Sequence, residues 1–247
     1  MPTYPILVRT DSQFIRPLEE KEKFLKAIIY TPKLDRIHRY LWLAGLPKAA
    51  RPLHRQRLLG RELVITENTD EHLVWHESRI FLRPLPDFLL NYNYWRETIC
   101  PDKKLHRSSC GLLLSYAWLV SYESDLKIAK EIGLLPSGID WLNWTTFLKD
   151  FLSHIDIDTL EQVDRRYRYG ELRLNRLNSL YRVIPAVFSI SNLIRGGGFM
   201  SSSTWQSSLF RRNFAWLLTV LVYLTVILSA LQVGLATDLL KESSSSC

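Results

Sequence analysis

One segment restricts this chain more than any other feature. The 23 residues from Phe214 to Ala236 carry no charge, and Gln232 is their only strongly polar side chain. An α-helix of this length, at about 1.5 Å per residue, is roughly 34 Å long and can cross a hydrocarbon core of about 30 Å. A core helix of a soluble domain rarely stays apolar on every face over such a length. The sequence therefore predicts a transmembrane helix, with a fully buried core helix as the alternative.

The charges that flank this segment predict its orientation. Arg211 and Arg212 stand directly before it, whereas residues 237–247 contain one lysine, two acidic residues and no arginine. Because loops rich in Lys and Arg stay in the cytosol, we expect an integral membrane protein whose N-terminal domain is cytosolic. The first thirty residues lack the apolar run of a signal peptide, so a tail-anchored, post-translational insertion is expected.

Basic charge is concentrated in the stretch that leads to this segment. Between Asp164 and Asn213 there are nine arginines, no lysine and two acidic residues. The net charge of this segment is thus +7, the same as the formal net charge of the whole chain. Each basic residue near an anionic leaflet contributes about 1 kcal/mol of attraction. Arginine forks also bind phosphate and carboxylate groups in a bidentate way. We therefore expect the lipid bilayer, and not nucleic acid, as the partner.

The same stretch predicts a basic amphipathic helix over residues 158–184. Asp158 and Glu161 have the spacing of an N-cap and its capping-box partner, and Pro185 ends the pattern. Apolar residues recur at intervals of three and four, with arginines opposite. Such a helix either packs on the core with a solvated arginine face or contacts anionic lipid headgroups or an acidic protein partner. The candidate binding residues are Arg165, Arg166, Arg173, Arg176, Arg211 and Arg212.

The remaining sequence predicts a mainly α fold with a small β-hairpin element (α+β). Residues 1–157 form the α-rich cytosolic domain with its small β element, residues 185–213 a Gly/Ser-rich juxtamembrane linker, residues 214–236 the transmembrane helix, and residues 237–247 a short polar tail. Apolar periodicity, Gly and Pro positions and β-prone runs predict the local elements. We expect helices at Leu34–Leu46, Asp87–Trp95, Gly111–Ile132 and Trp141–Leu152, a loop at Pro47–Gly60, and strands at Glu62–Thr66, His72–Trp75 and Ile80–Arg83, the first two separated by a turn at residues 67–70.

Motifs that carry chemistry are weak in this chain. His72 and His76 could share a metal ion, but no third ligand accompanies them, and polar residues of a half-exposed strand or turn are the simpler interpretation. The Asp156–Ile157–Asp158 triplet resembles a metal-binding Asp-x-Asp motif, but Asp158 is already explained as a helix cap, which is the preferred interpretation. No nucleophile-elbow, P-loop or dinucleotide-binding motif occurs, and the three cysteines have no metal-ligand spacing. No catalytic residue, metal or cofactor is therefore predicted.

Several longer stretches resemble a known family. RYRYGELRLNRLN (residues 166–178), RRNFAWLL (211–218) and LQVGLATDLL (231–240) are the most specific of them, supported by HLVWHESRIFLRPLP (72–86) and SYAWLVSYESDLKIA (115–129). Together they are similar to an uncharacterised family of filamentous-fungal integral membrane proteins. Some of its members are labelled subtilisin-like serine proteases, and no Asp, His or Ser of this sequence stands in a subtilisin-type motif.

The resemblance implies an architecture and no catalytic residues. It implies a second membrane helix after a short loop, whereas this sequence has KESSSSC at that point. A truncated copy and a single-span variant both fit. We expect a non-enzymatic, membrane-anchored adaptor or scaffold, with a membrane-bound hydrolase of unknown substrate as the alternative.

Overall fold

A computed structural model describes residues 5–9, 14–17, 19–183, 199–200 and 219–232. The chain divides into two compact units, Met1–Met200 and Ser201–Cys247. The described part of the first unit is mainly helical and includes a small mixed sheet, which confirms the predicted α+β class.

The helices of the first unit are short apart from two. They are α1 (Lys21–Ile29), α2 (Pro32–Arg36), α3 (Leu41–Ala44), α4 (Leu53–Leu58), α5 (Tyr92–Tyr94), α6 (Lys103–Leu119), α7 (Glu123–Glu131), α8 (Trp141–Ser153) and α9 (Leu174–Val183). Single 3-10 turns lie at His38–Tyr40, Thr69–Glu71, Asp87–Leu90 and Arg165–Arg168, and a π-helical turn at Trp95–Ile99 continues α5. The strands are β1 (Val8–Arg9), β2 (Phe14–Ile15), β3 (Glu62–Ile65), β4 (Val74–His76), β5 (Arg79–Leu82) and β6 (Leu172–Arg173).

The larger hydrophobic core surrounds α6. Asp102 begins this helix by accepting hydrogen bonds from the backbone N–H groups of Lys104 and Leu105, at 2.9 and 3.1 Å. The middle of α6 is buried on all sides, and the buried Trp144 of α8 donates its indole N–H to the Val120 carbonyl at 3.1 Å. α6 is thus the central element on which the other parts of the unit pack.

The four-stranded sheet has the order β3-β5-β4-β6 and is covered on both faces. β4 and β5 are antiparallel, while β3 pairs with β5 and β6 pairs with β4 in parallel. Leu73 and Ile80 belong to the larger core, whereas Val74 and Leu172 belong to a second, smaller core that α2, α3 and α9 complete. β6 and the start of α9 therefore contribute buried residues such as Leu172 and Leu174 to this core and leave Arg173 and Arg176 exposed.

Two predicted elements near the N-terminus differ from the structure. The predicted helix Leu34–Leu46 is broken into α2, a 3-10 turn and α3, and the predicted loop Pro47–Gly60 contains α4. In both cases the N-terminal cap comes from a distant residue: Asp70 accepts from the backbone N–H of Lys33 and Leu34, and Asp125 accepts from that of His54 at 2.7 Å. The start of α4 has no local capping side chain, whereas α2 also has Thr31 and Pro32 at its start.

The three helices predicted after residue 86 agree more closely with the structure. Trp141–Leu152 is confirmed as α8. The predicted Gly111–Ile132 helix is two helices, because the Ser121 hydroxyl bonds to the Ala117 and Trp118 carbonyls at the end of α6 and Asp125 accepts from the Tyr122 N–H at the start of α7. Asp87–Trp95 consists of the 3-10 turn and the short α5.

The three predicted strands exist, but the expected neighbours are wrong. β3 and β4 do not pair with each other, because β5 lies between them. The hairpin is formed by β4 and β5, and Glu77 in its turn adopts a left-handed φ of 53°. The turn predicted at residues 67–70 leads into a 3-10 turn from Thr69 to Glu71.

The predicted helix over residues 158–184 is wrong in its first half. Asp158 caps no helix here; Asp156 closes a turn instead and accepts from the Asp158 and Thr159 N–H groups at 3.0 and 3.3 Å. Leu160 then takes a positive φ of 50°, which a helix cannot accommodate. A 3-10 turn and β6 follow, and the helix starts only at Leu174.

The predicted linker and membrane helix are described only in part. Phe199 and Met200 are buried in the smaller core, and the Phe199 N–H donates to the Asn178 side-chain oxygen at 2.8 Å, so this point of the predicted linker is packed. Residues 219–232 form a helix with every residue exposed within its unit. In the described portion of the chain, no helix combines the length and apolarity that a membrane crossing requires. The rest of the 185–213 and 214–236 predictions, and all of 237–247, lie outside the described residues.

Candidate functional site

A surface cleft with two tryptophans lies where α3, the loop after it, β4 and β6 meet. We call it the tryptophan cleft. Its volume is about 580 Å³. Its lining residues are Trp42, Ala44, Gly45, Leu46, Lys48, Ala49, Arg51, Trp75, Glu171, Arg173 and Arg176.

Two glycines allow the walls of the cleft to approach closely. A Cβ on Gly45 would collide with the Glu171 carbonyl oxygen, and one on Gly170 would collide with the backbone N of Ala50. The Gly170 N–H donates to the Lys48 carbonyl at 2.9 Å, which holds the loop after α3 against the chain before β6. Any side chain at these positions would separate the two walls.

Glu171 is clamped by three side chains. Arg51 donates to it through Nε and NH2 at 2.8 and 2.5 Å, Arg61 through NH1 at 2.7 Å, and Gln56 through its amide at 2.8 Å. Burial alone would raise the pKa of Glu171, but these hydrogen bonds outweigh it and lower the pKa to about 2. Glu171 is therefore ionised at neutral pH, and it orients Arg51 and Arg61, which share its single negative charge.

Arg173 and Arg176 lack such a partner. No described carboxylate lies within ion-pair distance of either residue. The β4–β6 register sets Arg173 opposite Trp75, with its guanidinium 4.7 Å from the ring centroid, and Arg61 contacts the same ring at 4.3 Å. Arg176 donates to the Leu43 carbonyl at 2.9 Å. The cleft thus presents fixed guanidinium groups beside an aromatic ring.

The rim of the cleft is apolar and exposed. Trp42 and Leu46 are 60% and 66% exposed, and Leu43 is exposed beside them. With Lys48, Arg173 and Arg176 in the same cleft, an excess of positive charge lies next to these apolar side chains. Surfaces that enter the interfacial region of a bilayer typically combine exposed Trp and Leu side chains with Lys and Arg.

The six arginines predicted to bind lipid or an acidic partner do not all line the tryptophan cleft. Arg173 and Arg176 line the tryptophan cleft. Arg165 is exposed in the 3-10 turn outside it. Arg211 and Arg212 lie outside the described residues. Two of the six predicted residues therefore lie in this candidate site.

Arg166 is a correction to the prediction, because its side chain is buried and does not line the tryptophan cleft. Its guanidinium donates to the Tyr169 and His72 carbonyls, both at 2.6 Å. Burial lowers the pKa of Arg166, and the nearby Tyr167 and Asp70 oppose this effect. This arginine joins the 3-10 turn to the start of β4 and has a structural role.

Sequence reasoning missed four residues of the site, which come from three separate segments: Trp42, Lys48, Arg51 and Trp75. One signal was available within the segment 166–178. Glu171 is the only acidic residue in it, and an acid among arginines is the arrangement that a buried clamp requires.

A family of unknown function (DUF6601) matches residues 21–246. The chain belongs to this family. The match spans both units and all the lining residues of the tryptophan cleft, and it confirms the expectation of an uncharacterised family. No curated protein and no solved structure matches the chain.

A buried Ser–His contact in this DUF6601 protein has the wrong geometry for nucleophilic catalysis. His72 Nε2 lies 2.8 Å from the Ser115 hydroxyl oxygen. The Arg83 backbone N–H donates to His72 Nδ1 at 3.1 Å, so the ring proton is on Nε2 and the histidine donates to Ser115. Burial, with Arg166 and Arg83 nearby, lowers the pKa of His72 well below its usual value. The neutral ring therefore cannot accept the serine proton, and the pair is part of the core.

A Cys–His contact is equally unsuited to this role. Cys110 Sγ lies 3.7 Å from His106 Nε2. Burial raises the pKa of Cys110 to about 12, so the thiol stays protonated at neutral pH. His72 and His76 are both buried, contrary to the half-exposed positions predicted for them. Among the described residues, no cluster of His, Cys, Asp or Glu could hold a metal ion.

Proposed function

We propose that this DUF6601 protein is a membrane-anchored adaptor whose cytosolic domain binds anionic lipid headgroups through the tryptophan cleft. The apolar residues 214–236 serve as the anchor in this proposal, with the first unit on the cytosolic side. The observation that carries it is the combination, in one cleft, of the unpaired Arg173 and Arg176 with the exposed Trp42 and Leu46.

The charge and the apolar rim favour lipid over an acidic protein. A phosphate headgroup fits the guanidinium forks of Arg173 and Arg176, and Trp42 and Leu46 would then enter the boundary between headgroups and acyl chains. Two basic side chains supply only about 2 kcal/mol of attraction to an anionic leaflet. An anchor in the same chain makes such weak binding effective, because it keeps the local lipid concentration high.

The test uses the full-length protein reconstituted into vesicles of phosphatidylcholine, with or without phosphatidylserine. Brominated lipid quenches tryptophan within the interface, and the Trp42→Phe variant isolates the contribution of this residue. We expect quenching of Trp42 only in the vesicles that contain phosphatidylserine. Arg173→Gln together with Arg176→Gln should weaken this contact about thirtyfold at low salt, which corresponds to the loss of two basic side chains.

A matched control replaces two exposed cations outside the cleft. Arg57→Gln with Lys127→Gln removes the same charge, and both residues are exposed and take part only in exposed ion pairs. This variant should keep the quenching of Trp42. Equal quenching without phosphatidylserine would contradict the lipid proposal, and so would an effect of the control variant equal to that of the cleft variant. Binding of an acidic polypeptide by the cleft, without any quenching by lipid, would favour a protein partner instead.

A further inference from the structure

A second cleft lies between α1, α2 and the segment after β5, and it shares no lining residue with the tryptophan cleft. We call it the Arg83 cleft. Its volume of about 830 Å³ is in the range of small-molecule sites. The lining residues on which the argument depends are Phe24, Ile28, Asp70, Arg83, Leu85 and Phe88.

Arg83 is the unusual residue of this cleft. It is only 3% exposed, and its guanidinium donates through NH1 to the Thr69 hydroxyl. The Nε atom is buried without a hydrogen-bond partner, and no ion pair among the described residues includes Arg83. A buried guanidinium with an open donor is costly, because the group has left water without full compensation. An anion bound in the cleft would remove this cost.

The backbone of Arg83 is held firmly in place. Its N–H donates to His72 Nδ1, and its carbonyl accepts from the Tyr116 hydroxyl. The next residue, Pro84, fixes the chain direction further. The guanidinium is therefore presented from a rigid base, which lowers the entropic cost of binding a ligand.

The other lining groups define the class of ligand. Four cations and three acidic residues line the cleft, so its net charge suits a single negative charge better than a polyphosphate. One oxygen of Asp70 is already used by the backbone N–H groups of Lys33 and Leu34. Phe24, Ile28, Leu85 and Phe88 supply apolar surface for the rest of the molecule.

We propose that the Arg83 cleft binds a small organic carboxylate with an apolar body, whose carboxylate pairs with the Arg83 guanidinium. The Nε–H is available for one of the two parallel hydrogen bonds that arginine forms with a carboxylate. The apolar body lies against the hydrophobic lining residues. This proposal is independent of lipid binding at the tryptophan cleft, and either can fail alone.

The test compares matched probes on the full-length protein by titration calorimetry. Phenylbutyrate carries the carboxylate and an apolar body, phenylbutanol has the same body without charge, and inorganic phosphate has charge without the body. We expect phenylbutyrate to bind at least tenfold more tightly than either of the others, as expected for a charge-assisted pair in a buried site. Equal binding of the acid and the alcohol would overturn the proposal, and so would equal binding of the acid and phosphate.

Variants test the role of Arg83 itself. Arg83→Met should weaken phenylbutyrate binding at least tenfold and leave phenylbutanol binding unchanged. The variant should fold, since an apolar side chain of similar volume often replaces a buried charge without loss of stability. Arg57→Met, at an exposed position that lines neither cleft, is the matched control and should bind phenylbutyrate like the wild type. Unchanged acid binding by Arg83→Met would overturn the proposal, and the comparison of probes on the wild type decides it if that variant does not fold.

Discussion

The Glu171 clamp allows a quantitative prediction. In the folded protein the pKa of Glu171 is about 2, against its ordinary value of 4.5. Since one pKa unit corresponds to about 1.4 kcal/mol, the ionised carboxylate contributes about 3 kcal/mol to the free energy of unfolding at pH 7. Arg51 is 43% exposed and its share is weakened by solvent. We expect Glu171→Gln to lower the free energy of unfolding by about 2 to 3 kcal/mol at pH 7.

The pH dependence follows from the direction of the shift. A group with a depressed folded pKa stabilises the fold above its unfolded pKa, and this contribution is lost as the pH falls through the folded value. The difference between wild type and Glu171→Gln should therefore be complete above pH 4.5 and shrink as the pH falls towards 2.

Urea denaturation of the full-length protein in detergent, followed by tryptophan fluorescence, measures this difference. Glu62→Gln is the matched control, because Glu62 pairs with Arg79 in an exposed ion pair. It should cost less than about 1 kcal/mol at any pH. The reasoning is refuted if Glu171→Gln costs no more than Glu62→Gln, or if its cost does not change between pH 7 and pH 3.

Two further substitutions test the interior of the fold. Burial raises the pKa of Asp70 from its ordinary value of 3.8 to about 6. The fold therefore loses stability as the pH rises through the range between these two pKa values. Asp70→Asn keeps an acceptor for the Lys33 N–H. This variant should be more stable than the wild type by up to about 3 kcal/mol at pH 8 and show no advantage at pH 4. Urea denaturation at both pH values measures the difference. Gly111→Ala should destabilise the protein by about 1 to 3 kcal/mol in the same assay, because the new Cβ collides with the Tyr167 ring; a gain in stability, as helix propensity alone predicts, would show that this contact is loose.

Local patterns in the sequence predicted those elements whose causes are also local. α8 begins at Asp140, which caps the Asn143 N–H from three residues away, and the prediction was confirmed. α2 and α4 are capped by Asp70 and Asp125 from distant parts of the chain. No window of neighbouring residues contains these contacts, so the presence of α4 was missed.

The site was predicted in part for the same reason. Arg173 and Arg176 were found through the density of arginines, but the spacing that suggested a single helix also included Arg166, which is buried and donates to the Tyr169 and His72 carbonyls. Whether an arginine is a ligand group or a core group depends on the acceptors that the fold brings to it. Trp75 likewise became part of the site through the β4–β6 pairing.

Hydroxyl-radical footprinting of the full-length protein tests the central claim most directly, because it locates the contact without changing a residue. Trp42 is 60% exposed and should be oxidised less in vesicles that contain phosphatidylserine than in vesicles of phosphatidylcholine alone. Tyr92, 76% exposed and outside the cleft, is the internal reference and should be oxidised equally in both. Added salt should restore the oxidation of Trp42, since the attraction is electrostatic. Oxidation of Trp42 that is unchanged by phosphatidylserine, or that falls in parallel with that of Tyr92, would contradict binding of anionic lipid by the tryptophan cleft.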